Sequence, residues 1–288
     1  MKSITIIIPY FGTWPFWFDF FLISCARNPS IRWLFFTDCG VPTGAPHNVQ
    51  FTEMTFAEYK QRARDVLRIE FDPAAPYKLC DLRPAYGLIH REELQGCDYW
   101  GFGDIDVIYG NLRAHFNEHR LTHQLISCHG RRISGHLTLI ANTELMRTAF
   151  YRVPDWQQLM LGTHVALDER AFSRVFLRHR SWPKWLRNWV FGRDPYMRNV
   201  DFSETYSTVC ASVPWLDGSF NFPTTWYWRD GSLTNDLTGA REFPYLHFVQ
   251  WKQADWKGRD KLELVTVARD DMDRGFVISA RGINALAS

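Results

Sequence analysis

The 288-residue chain is 46% hydrophobic and carries Lys+Arg 33 against Asp+Glu 31, a formal net charge of +2 at pH 7. That near-neutral balance does not argue for nucleic acid, although a local patch is left open, and no nucleic-acid partner is expected; the apolar content is enough to bury a large core. The six cysteines, at 25, 39, 80, 97, 128 and 210, form no C-x-x-C pair and predict reduced thiols, not a disulfide frame or a zinc site. No apolar run approaches the ~20 residues of a membrane-spanning helix. The N-terminal run lacks a small-residue cleavage site, so a cytoplasmic protein is expected.

In chain order, "SITIIIPY" (3–10) is a continuous apolar run ending at Pro9 with Gly12 beyond it. This is the pattern of a buried parallel strand with a loop at its carboxyl end. Residues 14–30 have helical length and a stop at Asn28-Pro29, and residues 31–38 form a second buried strand ending in Asp38. An amphipathic helix is predicted over 56–67, a helix interrupted by Pro84 over 77–94, and a third apolar strand over 98–110. Strands alternating with helices at this spacing predict an α/β fold with a mostly parallel central sheet and flanking helices. Beyond residue 110 the rhythm loosens, with strands at 123–130 and 135–142, a helix at 167–177, and short strands at 225–231, 245–251 and 275–280. No repeat or linker divides the chain. A single domain over 1–288 is expected, with an elaborated second half from about 111.

The stretch "YWGFGDIDVIYG" (99–110) places Asp104 and Asp106 inside an apolar run. On a strand they share one side while Ile105 points away. Two like charges beside a dry sheet repel and are poorly solvated, and a divalent cation relieves both problems. Hard carboxylate oxygens suit Mn²⁺ or Mg²⁺. Ligands of open α/β sheets bind at the carboxyl ends of strands, where residues 9–12, 37–38 and 104–106 all fall, so one shared crevice is expected. The plain alternative is an aspartate capping a turn at Gly110-Asn111. The distant "YLHFVQWK" (245–252) adds His247, a borderline ligand for Mn²⁺, and Lys252, a compact charge for phosphate. A lone histidine beside a phenylalanine is more often an ordinary, satisfied structural residue. Trp182, Trp185 and Trp189 recur at spacings of three and four among Arg180, Lys184, Arg187 and Arg193. That segment fits a helix lying in a membrane interface, although a tryptophan stripe packed on the core is preferred from sequence.

Taken in order, these pieces resemble the GT-A-fold glycosyltransferases, and look most like bacterial family 8-type sugar transferases of surface polysaccharide synthesis. "IIIPYFG" resembles the strand that opens the nucleotide site, and "GDIDVIYGNL" the Asp-x-Asp motif that holds Mn²⁺ and the donor ribose. "LIAN" within "SGHLTLIANTE" resembles the strand behind the donor sugar, "LDERAF" the Asp-Gln pair beside the reacting sugar, and "HFVQWK" the C-terminal His-Phe…Lys motif. The matches span roughly residues 4–252. The resemblance implies a GT-A (Rossmann-like) fold whose nucleotide-binding half is about 1–110. It also implies a metal-dependent hexosyltransferase using a UDP-sugar, galactose by analogy, with a glycan or lipid-linked acceptor of O-antigen, capsule or lipopolysaccharide synthesis. Retention is favoured over inversion, and a place on the inner face of the cytoplasmic membrane is compatible with it.

The implied metal ligands are Asp104, Asp106 and His247, with catalytic Asp168 and Glu169. Nucleotide contacts are implied at Pro9, Tyr10, Gly12, Asp104 and Lys252, and sugar contacts at His136 and Asn142. Asp38 is expected at the base or ribose, the alternative being the ordinary turn that a strand-end aspartate makes. In "APYKLCDLRPAYG" (75–87), Lys78, Asp81 and Arg83 are expected near the nucleotide, with Lys78 or Arg83 facing phosphate. The alternative there is an i,i+3 Lys78–Asp81 pair on a solvated helix face. Three departures stand beside the resemblance: Glu169 replaces the family's Gln, Ser134-Gly135-His136 replaces Asn-Ala-Gly, and the His-to-Lys spacing is short. A sugar nucleotidyltransferase would carry a Gly-rich basic loop after the first strand, which "PYFGTWPFW" lacks. A non-catalytic glycan- or membrane-binding protein would have no need of Asp104, Asp106, His247 and Lys252 together.

Overall fold

The computed structural model describes residues 1–179, 181–209 and 211–286. The N-terminal half builds one side of a seven-stranded sheet: β1 (Ile4–Pro9), β2 (Ile31–Thr37), β3 (Val49–Glu53) and β4 (Tyr99–Gly103). With β6 (Leu125–Ser127), β7 (Leu137–Ala141) and β8 (Val200–Phe202), the order across the sheet is β3-β2-β1-β4-β7-β6-β8. The β3/β2, β2/β1, β1/β4 and β6/β8 pairs run parallel, while β7 runs antiparallel to both β4 and β6. The expected α/β class with a mostly parallel sheet and flanking helices is what the chain adopts.

The apolar run of β1 is continuous because both faces of the sheet are covered. Ile4, Ile6 and Ile8 pack toward helix α1 (Phe18–Ala26), whereas Ile7 packs on the opposite face with Leu34, Phe36, Trp100 and Phe102. Helix α2 (Phe56–Leu67) lies on that second face and buries Tyr59, Ala63 and Leu67 at four-residue spacing. A capping box starts it: Thr55 Oγ1 accepts from the Glu58 N–H, and the Glu58 carboxylate accepts from the Thr55 N–H. Helix α1 has no polar stripe because it is buried on two sides. Phe18 and Phe21 face the main sheet, and Phe20 packs edge-on against Phe276 of a second sheet, ring centroids 4.8 Å apart.

That second sheet is antiparallel, β10-β9-β12-β13, from β9 (Thr225–Arg229), β10 (Ser232–Asn235), β12 (Phe276–Ser279) and β13 (Gly282–Ala285). Between the two sheets, β5 (Val107–Tyr109) pairs antiparallel with β11 (Tyr245–His247). Asn28 fixes the junction, donating to the Gly110 carbonyl at 2.9 Å and accepting from the Leu112 N–H at 2.9 Å. Gly110 passes so close to the 243 backbone that a Cβ there would lie 2.3 Å from the Phe243 carbonyl oxygen.

Several expectations need correction. The strand expected over 98–110 is two strands with different partners, because β4 stays in the main sheet while β5 leaves it for β11. Asp104 and Asp106 occupy the bend between them, so they converge through a turn and not through the two-residue repeat of a strand. β3 was not anticipated, since VQFTE carries only two apolar residues. The region expected as helix over 77–94 is a 3₁₀ segment, Pro76–Ala85, followed by a single turn, Tyr86–Ile89, as a proline at 84 removes the i→i−4 bond. The helix expected over 167–177 opens as a π-type turn, Asp168–Phe172. The tryptophan stripe does not enter the core: on the helix Lys184–Phe191, Trp185 and Trp189 are exposed. Arg180 of that segment and Cys210 lie outside the described residues; the other five cysteines are free thiols. Among the described residues no helix is long and apolar enough to cross a membrane.

Lys78 and Asp81 do form an i,i+3 pair, at 2.8 Å, but it is buried, not solvated. The Asp81 carboxylate also accepts from the backbone N–H groups of Val165 (3.1 Å) and Leu167 (2.7 Å). Lys78 Nζ donates to the carbonyls of Leu159 (2.8 Å) and Thr163 (2.9 Å). The pair therefore shapes the 159–167 loop that delivers Asp168. Asp81→Ala would strand a buried ammonium, and we expect it to cost about 3–5 kcal/mol of stability, read as a lower midpoint in chemical denaturation.

Candidate functional site

A cleft of about 590 Å³ opens at the carboxyl ends of β1 and β4. These strands are neighbours, yet the chain runs outward from β1 through β2 to β3 before returning at β4, which makes the gap between them a topological switch point. Residues 7–11 form one wall and residues 103–106 the next, with the 3₁₀ segment, the turn at 168–169 and residues 247–253 closing the rest.

Asp104, Asp106 and His247 meet there, offering ligand atoms that all lie within 4.8 Å of one another, the one such cluster among the described residues. The β5/β11 pairing sets Val107 opposite His247, and the Phe248 N–H donates to the Asp106 carbonyl at 3.2 Å. The His247 ring is oriented from behind: Thr208 Oγ1 lies 3.3 Å from Nδ1. Nε2 then faces the carboxylates, 3.7 Å from Asp106 Oδ1 and 4.0 Å from Asp104 Oδ2. A partner on one ring nitrogen that frees the other for a metal is the usual support of a histidine ligand. Two hard carboxylates and an imidazole fit Mn²⁺ or Mg²⁺.

The charges are crowded and only partly matched. Lys252 Nζ contacts Asp106 Oδ2 at 2.5 Å, and Arg83 pairs with Asp104 and, at 3.1 Å, with Asp168. Asp104, Asp106 and Asp168 thus present three formal negative charges to the two positive charges of Arg83 and Lys252. Burial alone would raise Asp106; His247 and Lys252 more than offset this and hold its carboxyl well below the usual range. Burial raises Asp104, against the pull of Arg83 and with Asp106 adding to the rise. Asp168 is pushed up to about 6, by burial first, with Arg83 opposing and Glu169 reinforcing. Glu169 lies beside Arg132 (3.4 Å) and accepts from the Gly135 N–H at 3.4 Å. Gly135 is required by close approach: a Cβ would sit 2.7 Å from Arg83 Nη1 and 3.2 Å from Asp168 Oδ2.

Of the residues anticipated from sequence, Pro9, Tyr10, Arg83, Asp104, Asp106, Asp168, Glu169, His247 and Lys252 all line the cleft. Arg83, expected beside phosphate, bridges two carboxylates in this structure. Lys78 and Asp81 do not line it, their polar atoms being spent on each other and the 159–167 loop. Asp38 and Gly12 bond to each other, Gly12 N–H to Oδ1 at 2.8 Å, and tie the β1 loop to β2 without lining the cleft. His136 sits behind the site: its ring stacks on His247 with centroids 4.4 Å apart, and its carbonyl accepts from the Asp104 N–H at 3.4 Å. Asn142 is structural, donating to the carbonyls of Leu94 (2.8 Å) and Cys97 (2.9 Å). Sequence reasoning missed Tyr77 and His164 on the wall, Gln253 beside Lys252, and Thr208 behind His247. Tyr77, inside the block 75–87, and Gln253, next to Lys252, each adjoin a motif and could have been found that way; His164 and Thr208 carry no such signal.

A family profile matches residues 6–277 and is described as a family of unknown function (DUF6625). No curated protein matches the sequence. Similar solved structures include an active-site mutant of LgtC, with TM-score 0.41 and 11% identity, covering 86% of this chain and 87% of that one. The galactosyltransferase LgtC in complex with donor and acceptor sugar analogs gives 0.38 and 12%, covering 72% and 75%. Mouse xyloside xylosyltransferase 1 gives 0.36 and 10%, covering 70% and 96%. With TM-scores below 0.5, these likenesses carry no functional conclusion.

The Asp168 carboxyl generates a pH dependence. Its folded value, about 6, lies above the ordinary 3.8, so the folded state holds this proton more tightly than the unfolded one. Stability therefore falls as pH rises from about 4 through about 6 and levels off above, a cost of about 3 kcal/mol. In metal-free protein, unfolding free energies of wild type and Asp168→Asn should diverge across that window, with the variant lacking the slope. Parallel profiles would contradict the assignment.

Proposed function

We propose that this chain, which belongs to the DUF6625 family, is a metal-dependent glycosyltransferase that moves a hexose from a UDP-sugar to a glycan or lipid-linked acceptor. The observation that carries this reading is the convergence of Asp104, Asp106 and His247 at a switch-point cleft whose remaining charges are Lys252, Arg83, Asp168 and Glu169. A nucleotide diphosphate leaving group needs positive charge where negative charge develops, and a sugar losing that group needs negative charge at its oxocarbenium-like centre. The cleft offers both, a few residues apart.

In this reading Asp104, Asp106 and His247 hold Mn²⁺ or Mg²⁺, which supplies Lewis-acid stabilisation of the diphosphate oxygens when bound. Lys252 then directs its ammonium at the departing phosphate. Tyr10, whose ring stacks parallel on Trp14 at 5.2 Å, offers an aromatic wall to the uracil and ribose. Arg83 holds Asp168 and Asp104 in register. Glu169, more open than the buried Asp168, faces the reacting sugar and stabilises its oxocarbenium-like cation, while the leaving diphosphate takes the acceptor's proton on the same face. The two halves act as one catalytic unit, the first supplying nucleotide contacts and the second completing the metal site. Retention and a role in bacterial surface polysaccharide synthesis follow from the motif resemblance.

The test is release of UDP from a panel of UDP-hexoses with Mn²⁺, with and without glycan acceptors. We expect turnover with at least one donor, and Lys252→Met to lower kcat by about 10²–10³-fold through loss of charge stabilisation of the leaving group. A variant as fast as wild type, or turnover only of UTP with a sugar 1-phosphate, would overturn the assignment.

A further inference from the structure

The helix Lys184–Phe191 turns an apolar face outward, the reverse of an ordinary surface helix. Trp185 is 71% exposed and Trp189 81%, and Val190 extends the patch. The two indoles stand at i and i+4, adjacent on one face. Trp182 plays a different part: it stacks on His179 at 4.3 Å, and both rings lie against Phe191. One part of the aromatic cluster thus fastens the helix while the other faces away. Contiguous exposed apolar surface of this kind marks an interaction site.

The charges say which surface it meets. From 174 to 193 the sequence carries Arg174, Arg178, Arg180, Lys184, Arg187 and Arg193 and not one Asp or Glu, in a chain whose overall balance is only +2. Arg174, Arg178 and Arg193 are exposed. Exposed indoles with an apolar body and an N–H edge, flanked in sequence by exposed cations, match the boundary between acyl chains and phosphate headgroups. The segment also leaves the chain directly after the turn that carries Asp168 and Glu169, and rejoins the main sheet as its edge strand β8. We infer that this helix docks on an anionic phospholipid surface, with Trp185 and Trp189 in the headgroup layer and the flanking arginines on lipid phosphates. The inference does not depend on the transferase reading.

Full-length protein would be sedimented with vesicles of phosphatidylcholine alone or mixed equally with phosphatidylglycerol, while tryptophan emission is followed. Expected is binding to the mixed vesicles with a blue shift, weakened steeply by added salt. Trp185→Ala with Trp189→Ala should reduce partitioning by more than about tenfold. Arg178→Glu and Arg193→Glu should each reduce it by about fivefold or more. Because these side chains are exposed, thermal unfolding should be unchanged in every variant. No binding to anionic vesicles, equal binding by the double tryptophan variant, or salt-independent binding to neutral vesicles would overturn the inference. So would concentration-dependent dimerisation through the same tryptophans without vesicle binding, which would make a second copy of the chain the occupant.

Discussion

Three carboxylates, Asp104, Asp106 and Asp168, are crowded at the dry mouth of a sheet, and much of the local architecture is arranged around the positive charge they demand. Isolated, each would revert to its neutral form. Arg83 answers two of them from the 3₁₀ segment, and Lys252 and His247 answer the third from the far end of the chain. Set against the permanent cations Arg83 and Lys252 alone, the three carboxylates are unmatched by one charge, because Asp104 and Asp168 share Arg83. The stability that repulsion costs here is supplied by the apolar packing of the sheet, while the buried Lys78–Asp81 pair fixes the adjoining loop.

Topology makes this crowding possible. Strand β4 ends at Gly103, and the chain exits the main sheet to pair with β11, so the bend at 104–106 faces both the cleft and the strand that carries His247. His136 and Thr208 support the arrangement from behind, one by its carbonyl and stacked ring, the other by its hydroxyl. Neither lines the cleft, yet both contact the residues that do.

The strong periodic signals are legible in the sequence itself: the buried runs of β1, β2 and β4, the amphipathic helix α2, and the pairing of Asp104 and Asp106 with His247 and Lys252. What escaped the sequence had physical causes. The bend at 104–106 is invisible in an unbroken apolar run, because periodicity cannot show which sheet a strand joins. Lys78, Asp81 and Asn142 have the residue types of ligand contacts, but tertiary contacts spend their polar atoms on loop backbone. Thr208 has no local pattern at all, since its role exists only through a neighbour 39 positions away. The tryptophan spacing was plain, but spacing gives a face and not the direction it points.

The most direct test of the central claim is calorimetric titration of UDP into metal-free protein, with and without Mn²⁺, for wild type and Asp106→Ala. Saturable UDP binding that requires both Mn²⁺ and Asp106 is the predicted result. Equal binding without metal or without the Asp106 carboxylate, or no UDP binding by folded wild-type protein under either condition, would contradict it.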